Sequence, residues 1–220
     1  MFTSSLGGGL VRGDSLRLDL EVGPGASLFV SSQSQTKVFK GASRSAVRAR
    51  VAAGGLLVLW PAAVACFRDA TYVQDTLIEV EPGGSVITLD AWTSGRPAHE
   101  TPWTFRGFTS KTRIVSADGL PLLVDGTTID RHDPSDTAGF HAFATVLAAG
   151  PRSALGSVSE SRDDVDARQH VSRGVLSSQH TLGGERHVTR FGTSTMTELQ
   201  AELAPIRHFV VNELGDDPFR

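Results

Sequence analysis

A repeat with a period of 29 residues constrains the fold of this chain more than any other feature. Three segments align without gaps at that period, and they read LRLDLEVGPGASLFV from Leu16, SAVRARVAAGGLLVL from Ser45 and QDTLIEVEPGGSVIT from Gln74. The alignment superposes one valine and, three positions later, one glycine in each copy: Val22, Val51 and Val80, and Gly25, Gly54 and Gly83. Because internal repeats set the architecture of a chain that contains them, the period is the first guide to the fold.

Each copy predicts a strand, a tight turn that contains glycine, and a second, more apolar strand. In the first copy, leucines at every second position from Leu16 to Leu20 share one face, since side chains alternate along a strand. One such unit cannot bury its apolar face alone, so successive units should stack. The predicted fold is mainly β, a layered, solenoid-like or sandwich-like sheet built from repeats at about 16–44, 45–73 and 74–102. A looser fourth copy reads RIVSADGLPLLVD, with a hairpin turn at Asp118-Gly119.

The end of the chain predicts a helix over about 195–214. Thr195 and Glu198 fit a capping box, and apolar residues from Met196 to Leu214 then recur at helical spacing. Pro205 should kink this helix or split it in two. The polar segment 151–184 has no sustained periodicity, and its structure is left unassigned. A length of 220 residues fits one domain over 1–220.

Composition excludes several classes of protein. A net charge of -3 gives no basic excess for nucleic acid, and the longest apolar run, LLVLWPAAVACF, is interrupted by Pro61 and too short to span a membrane. The opening MFTSSLGGGL has no positive segment and no apolar core of a signal peptide. Cys66 is the single cysteine, which excludes an intrachain disulfide and fits a reducing compartment. These features predict a cytoplasmic protein.

The sequence lacks the common catalytic motifs. It has no G-x-S-x-G nucleophile elbow, no H-E-x-x-H and no G-x-x-x-x-G-K-[ST] phosphate loop. No two of the seven histidines are four residues apart, and no cluster has the spacing of a structural zinc site. Enzymatic activity is therefore not predicted from motifs.

The stretch SSQSQTKVFK, from Ser31 to Lys40, contains seven consecutive polar residues without glycine or proline. As part of one strand from Leu28 to Lys40, it would offer little apolar area on either face. Burying Lys37 without a partner would cost several kcal/mol, so a dry core position is excluded. Three interpretations stay open: a solvated edge, the lining of a wet internal cavity, or a polar protein–protein contact.

Several blocks of the chain resemble the urease accessory protein D family, called H in some organisms. GGGLVRGDSLRLDLEVGPGASLFVSSQSQTKVFK is similar to the family's glycine-rich opening and its T-Q-x-x-T-K-V-[YF] signature, with Ser32 in place of the first Thr. Later blocks are similar to P-x-x-x-x-F…Y-x-Q and G-R…G-E-x-W, and the closing LAPIRHFVVNELGDDPFR also fits. The matching residues are Gln33, Thr36, Lys37, Val38, Phe39, Pro61, Phe67, Tyr72, Gln74, Gly95, Arg96, Glu100 and Trp103. The resemblance covers most of the chain and is weakest over 151–184.

The resemblance implies a non-catalytic metallochaperone component that binds apo-urease and links it to accessory proteins F and G, with G as the GTPase. It implies no tightly bound cofactor and nickel in transit through a water-filled internal passage. Hydroxyl, amide and ammonium groups of the polar stretch suit such a lining, and oxygen ligands release a divalent ion readily. The implied partner-binding or passage-lining residues are Gln33, Thr36, Lys37, Asp14, Asp75, Asp90, Arg96 and Glu100, with His99 and Glu100 as weak metal candidates.

Two departures from the family pattern accompany the resemblance. Family members usually carry an additional N-terminal β segment before the glycine-rich block, and His99 stands where the family has glycine before Glu100. Two alternatives also stay open: a metal-dependent hydrolase on a β-layer scaffold, which would need a cleft of converging ligands, and a purely structural β-repeat module.

Overall fold

The computed structural model describes residues 1–4, 7–95, 101–130, 139–153, 167–172, 175–183 and 185–220. These residues form a ten-stranded sheet, here the large sheet, and a five-stranded sheet, here the small sheet. The large sheet contains β1 (Phe2–Thr3), β3 (Ser27–Ser32), β4 (Thr36–Val38), β6 (Leu56–Trp60), β7 (Val64–Cys66), β9 (Ser85–Thr93), β12 (Ala142–Ala149), β13 (Ala167–Ser172), β14 (Val175–Thr181) and β15 (Arg186–Thr193). The small sheet contains β2 (Ser15–Val22), β5 (Gly41–Val51), β8 (Ala70–Val80), β10 (Gly107–Ser116) and β11 (Pro121–Asp130).

The repeat sets how the first strands stack. The first strand of each copy lies in the small sheet, where β2, β5 and β8 pair in parallel and Val22, Val51 and Val80 are aligned. The second strand lies in the large sheet, where β3, β6 and β9 also pair in parallel. This arrangement confirms the layered, solenoid-like prediction. The two strands of each copy do not pair with each other across the tight turn, because they lie in opposite sheets and pair with neighbouring copies.

Glycine makes the crossing between the sheets possible. Gly25, Gly54 and Gly83 have φ angles of +66°, +70° and +79°. Residues with a Cβ are disfavoured in this left-handed region, so the shared glycine marks where the chain leaves one sheet for the other.

Antiparallel pairing replaces the repeat after the third copy. β10 joins β8 in parallel and then forms a hairpin with β11, whose turn contains Asp118 and Gly119 as predicted. β12 and β15 continue the large sheet antiparallel to β9, followed by β14 and β13. The two sheets enclose an apolar core that includes Val51, Leu57, Ile78 and Ile114.

The helix α1 (Met196–Leu214) covers the other face of the large sheet. It buries Leu199, Leu203, Ile206 and Val210 against that sheet. The predicted split at Pro205 is wrong, because the helix continues through this residue and packing on both sides compensates for one missing hydrogen bond. No helix in the described part of the chain is long and apolar enough to span a membrane.

The polar stretch does not form one continuous strand, which corrects the strand expected from Leu28 to Lys40. β3 ends at Ser32, residues 33–35 form a bend, and Thr36 begins the short strand β4. The side chains of Gln33 and Lys37 are exposed, and Thr36 is half-buried. A solvated edge is therefore the interpretation that fits most of this stretch.

Candidate functional site

A band of polar side chains crosses the interior between the two sheets, and we call it the polar belt. It separates the apolar core near the glycine turns from an aromatic cluster that includes Trp92 and Phe108. Strand alternation produces the belt, because on β8 the polar Gln74 and Thr76 share the inward face with the core residue Ile78. The polar belt consists of Ser45, Tyr72, Gln74, Thr76, Thr88, Asp90, Ser110, Thr112, Asp125, Thr145 and Arg190.

A cavity of about 290 Å³ follows part of the polar belt to the edge of both sheets. At this edge, which we call the mouth, Leu16 and Leu18 of β2 face Thr3, Ser31 and Ser32 of the large sheet. The hydroxyl of Ser31 donates to the Trp60 carbonyl at 2.7 Å, while that of Ser32 accepts from the Ala62 N–H at 2.8 Å. Apolar side chains such as Leu16, Val30 and Leu59 therefore line the route from solvent to the interior together with these polar groups.

Asp90 is the carboxylate at the inner part of the cavity. The Gln74 amide nitrogen donates to Asp90 Oδ1 at 2.6 Å and to the Ser110 hydroxyl oxygen at 2.8 Å. The Ser110 hydroxyl donates to Asp90 Oδ2. Three strands, β8, β9 and β10, thus bring one amide, one carboxylate and one hydroxyl together between the sheets.

Burial raises the pKa of Asp90 to about 6. The hydrogen bonds from Ser110 and Gln74 oppose this rise, and the nearby Asp125 carboxylate adds to it. Asp90 keeps some accessible surface, which belongs to the cavity wall. A carboxylate with these surroundings is poised to exchange a proton or to attract a cation near neutral pH.

Two further contacts shape the polar belt. The Tyr72 hydroxyl lies 2.6 Å from the Ser45 hydroxyl, and burial raises the pKa of Tyr72 to about 12, so the phenol stays neutral. At the far side, Arg190 donates to the buried carboxylate of Asp125, and the arginine side chain is 48% exposed. The polar belt therefore ends at an ion pair that reaches solvent.

The structure separates the residues predicted from sequence. Thr36 and Asp90 line the cavity, whereas Gln33 and Lys37 are exposed and lie outside its lining. Their role, which is either partner binding or passage lining, stays a prediction. The predicted residues Arg96, His99 and Glu100 lie outside the described residues.

The other two predicted carboxylates do not line the cavity either. Asp14 accepts a hydrogen bond from the Val11 N–H at 2.8 Å in a turn. Asp75 lies on the outer face of the small sheet, between Arg48 at 2.8 Å and Arg113 at 2.9 Å. The direction of its side chain on β8, opposite to that of Gln74, excludes it from the polar belt.

Sequence reasoning missed most of the polar belt. Tyr72 and Gln74 were matched to the family but were given no role, and Ser110, Asp125 and Arg190 were not considered. Alternation in β8 gave only an ambiguous signal, because Gln74 shares its face with Ile78 and Val80 while Asp75 shares its face with Val73 and Leu77. The pairing of Asp125 with Arg190 had no local signal, since 65 residues separate them.

Apart from the Arg190 guanidinium, which is paired with Asp125, the polar belt offers oxygen groups and one neutral amide nitrogen. Hydroxyls, carboxylates and one amide suit a hydrated divalent cation that is held weakly. Within the described ranges, no group of three or more His, Cys, Asp or Glu residues is arranged to hold a metal ion. The chemistry that the site offers is transient contact with water and cations.

Comparison with known proteins places this chain in a family. The family model described as UreD urease accessory protein matches residues 1–219. A urease accessory protein UreD from Sorangium cellulosum is 37% identical, with an alignment that covers 100% of this chain and 71% of the relative. A UreD from Anaeromyxobacter sp. is 33% identical over 100% of this chain and 75% of its own length.

A more distant relative extends the comparison to plants. The urease accessory protein D of Arabidopsis thaliana is 29% identical over 69% of this chain and 54% of its own length. The family match agrees with the resemblance drawn from the sequence blocks and confirms the prediction of an accessory protein rather than an enzyme. The chain belongs to the UreD urease accessory protein family, whose members serve urease maturation.

Proposed function

We propose that this protein helps to deliver nickel to apo-urease, acting with accessory proteins F and G, and that the ion moves along the polar belt. The observation that carries the proposal is the polar belt itself, which leads from a mouth at the sheet edge to two carboxylates, Asp90 and Asp125. GTP hydrolysis belongs to the G partner in this scheme. Nickel is cargo here and not a resident cofactor.

The chemistry of the polar belt supports transit more than storage. A dry apolar interior would exclude a divalent ion because of its desolvation cost, whereas hydroxyl and amide groups substitute for part of its water shell. Asp90 attracts the cation, and its hydrogen bonds to Gln74 and Ser110 hold the carboxylate in place. Since these are few oxygen ligands, the ion leaves again readily.

The test separates transit from docking. Apo-urease would be activated with nickel, GTP, the F and G proteins and either the parent chain or the variants Asp90→Asn and Gln74→Leu. We expect both variants to co-purify with the partners but to activate urease at least tenfold more slowly. Asp75→Asn is the matched control, because it removes the same charge on the outer face and should leave activation unchanged.

Two results would overturn parts of the proposal. If both variants activate urease like the parent, the passage is wrong and a scaffold role remains. If the parent neither co-purifies with F and G nor supports activation, the partner assignment is wrong. Lys37→Ala tests the exposed polar stretch separately, and we expect it to weaken co-purification because Lys37 is available for contact.

A further inference from the structure

The cavity ends before the polar belt does. In the described part of the chain, β11, β12 and β15 contribute no residue to its lining, which comes from earlier strands of the two sheets. The lining stops at Asp90 on the large sheet and at Thr112 on the small sheet. The belt continues beyond them through Thr145 to Asp125 and Arg190. The Asp125–Arg190 ion pair therefore lies between the cavity and the solvent beside β11.

Strand register shows that this ion pair continues the wall of the cavity. In the large sheet, Asp90 is paired with Thr145, and Thr145 is paired with Arg190. In the small sheet, Thr112 is paired with Asp125. Residues that are paired across neighbouring strands lie on the same face of a sheet. Asp90 and Arg190 thus belong to one polar row and Asp125 to the facing row, and the ion pair joins the two rows.

The two partners of this ion pair differ in their contact with water. Asp125 is 7% exposed, whereas the Arg190 side chain is 48% exposed. Among the described residues, Arg190 is the one side-chain donor to Asp125, while Asp75 on the outer face accepts from both Arg48 and Arg113. A guanidinium that leaves Asp125 regains water, but the buried carboxylate does not. Arg190 is therefore the partner that can move away, provided that another cation takes its place.

We propose that Arg190 closes the far end of the polar belt and that a divalent cation displaces its guanidinium from Asp125. The inference rests on the proposed function in one respect, since it takes the belt as the path of the ion. An ion that reaches Asp90 is also attracted by Asp125, because the two carboxylates are close enough for one to affect the ionisation of the other. The ion repels the guanidinium and replaces it as the counterion of Asp125. The belt then opens toward solvent only when it holds an ion.

Competition between Arg190 and the ion predicts the direction of two measurable effects. With its guanidinium in place, Arg190 neutralises one of the two carboxylates that attract the ion. Without the guanidinium, the ion meets both carboxylates and has no cation to displace, so it binds more tightly. In the parent protein, the displaced guanidinium becomes more accessible to solvent when the ion binds. The two effects are measured independently.

The first experiment measures nickel binding by equilibrium dialysis of the untagged full chain against nickel chloride alone. Arg190→Gln removes the charge and keeps a polar side chain, and we expect its Kd for nickel to be about tenfold lower than that of the parent. Adding Asp125→Asn should remove this gain, which separates the belt from nickel that is bound elsewhere on the chain. Arg113→Gln is the matched control, because Arg113 is also partly buried and pairs with Asp75 on the outer face. Its Kd should equal that of the parent.

The second experiment needs no variant, so it does not depend on whether Arg190→Gln folds. Phenylglyoxal reacts with accessible guanidinium groups, and mass spectrometry of the digested protein gives the extent of reaction at each arginine. We expect nickel chloride to raise the rate of reaction at Arg190 several-fold in the parent chain. The rate at Arg113 should stay the same, because its ion pair with Asp75 lies outside the belt.

The inference is overturned if folded Arg190→Gln binds nickel like the parent, or if nickel leaves the reactivity of Arg190 unchanged. A gain in affinity that survives Asp125→Asn also overturns it, since the ion would then lie elsewhere. Failure of the proposed function gives a different pattern, in which Asp90→Asn activates urease like the parent. If both Arg190 effects appear in that case, the displacement of Arg190 stands and its role in delivery does not.

Discussion

Asp90 shows most clearly what a single residue contributes to this molecule. It keeps a carboxylate between two sheets, where burial disfavours the charged form. Its folded pKa of about 6 lies above the value of about 3.9 expected in the unfolded chain. Between these two values the folded state binds more protons, so stability falls as pH rises from about 4 to 6 and stays reduced above that range.

Replacing Asp90 with asparagine should remove this loss of stability. We expect Asp90→Asn to be more stable than the parent above pH 7, by about 2 kcal/mol, and to differ little at pH 4. The measurement is urea unfolding at a series of pH values. For Asp75→Asn we expect the opposite change in stability. Burial opposes ionisation of Asp75, but hydrogen bonds from Arg48 and Arg113 lower the pKa of its carboxyl. Removing this charge should therefore destabilise the protein at neutral pH.

Gly150 is a second residue whose identity is set by its surroundings. Its φ is +99°, and a Cβ there would lie 2.1 Å from the Gly84 carbonyl oxygen. We expect Gly150→Ala to cost about 3 kcal/mol or more, because backbone must move. Gly119→Ala is the matched control with φ of +82° and open space, and it should cost only about 1 kcal/mol. Thermal unfolding that ranks the two variants equally would contradict the steric argument.

At the scale of elements, α1 depends on its first turn. The Thr195 hydroxyl accepts from the Glu198 N–H at 3.1 Å, and the Glu198 carboxylate accepts from the Thr195 N–H at 2.8 Å. Both contacts satisfy donors that a helix otherwise leaves unpaired. The helix in turn covers the outer face of the large sheet, so its end affects the stability of that layer.

Removing the cap should weaken the whole layer modestly. We expect Thr195→Ala to lower the free energy of unfolding by about 1 kcal/mol, measured by urea unfolding followed by circular dichroism. Thr197→Ala is a matched control, since Thr197 is exposed inside the helix and alanine has the higher helix propensity. If both variants behave alike, the capping contacts contribute nothing measurable.

For the whole molecule, the polar belt places polar groups between the sheets where apolar groups could pack. A well-packed apolar group in place of a buried polar network is often neutral or stabilising. We expect the triple variant Asp90→Leu, Gln74→Leu, Ser110→Ala to be more stable than the parent by about 1–4 kcal/mol in urea unfolding, and unable to support urease activation. A destabilised triple variant would mean that the polar belt holds the sheets together.

How much of the fold was predictable differs along the chain. The 29-residue period predicted the stacking of strands, and the capping box predicted where α1 begins. The path after Ser32 was not predictable, because no glycine or proline marks the bend before Thr36. Of the residues expected from the sequence, Asp90 and Thr36 lie at the cavity, whereas Asp75 lies on the outer face of the small sheet.

The sequence by itself determined the repeat, the turns and the helix, because each depends on residues close together in the chain: alternation, a glycine at positive φ, and a cap. Only the tertiary structure decided which polar residues meet. Leu77 and Ile78 are adjacent on β8, so local pattern did not reveal whether Gln74 or Asp75 faces inward. Stacking the small sheet against the large one settled that choice, and it also brought Asp125 to Arg190 across 65 residues.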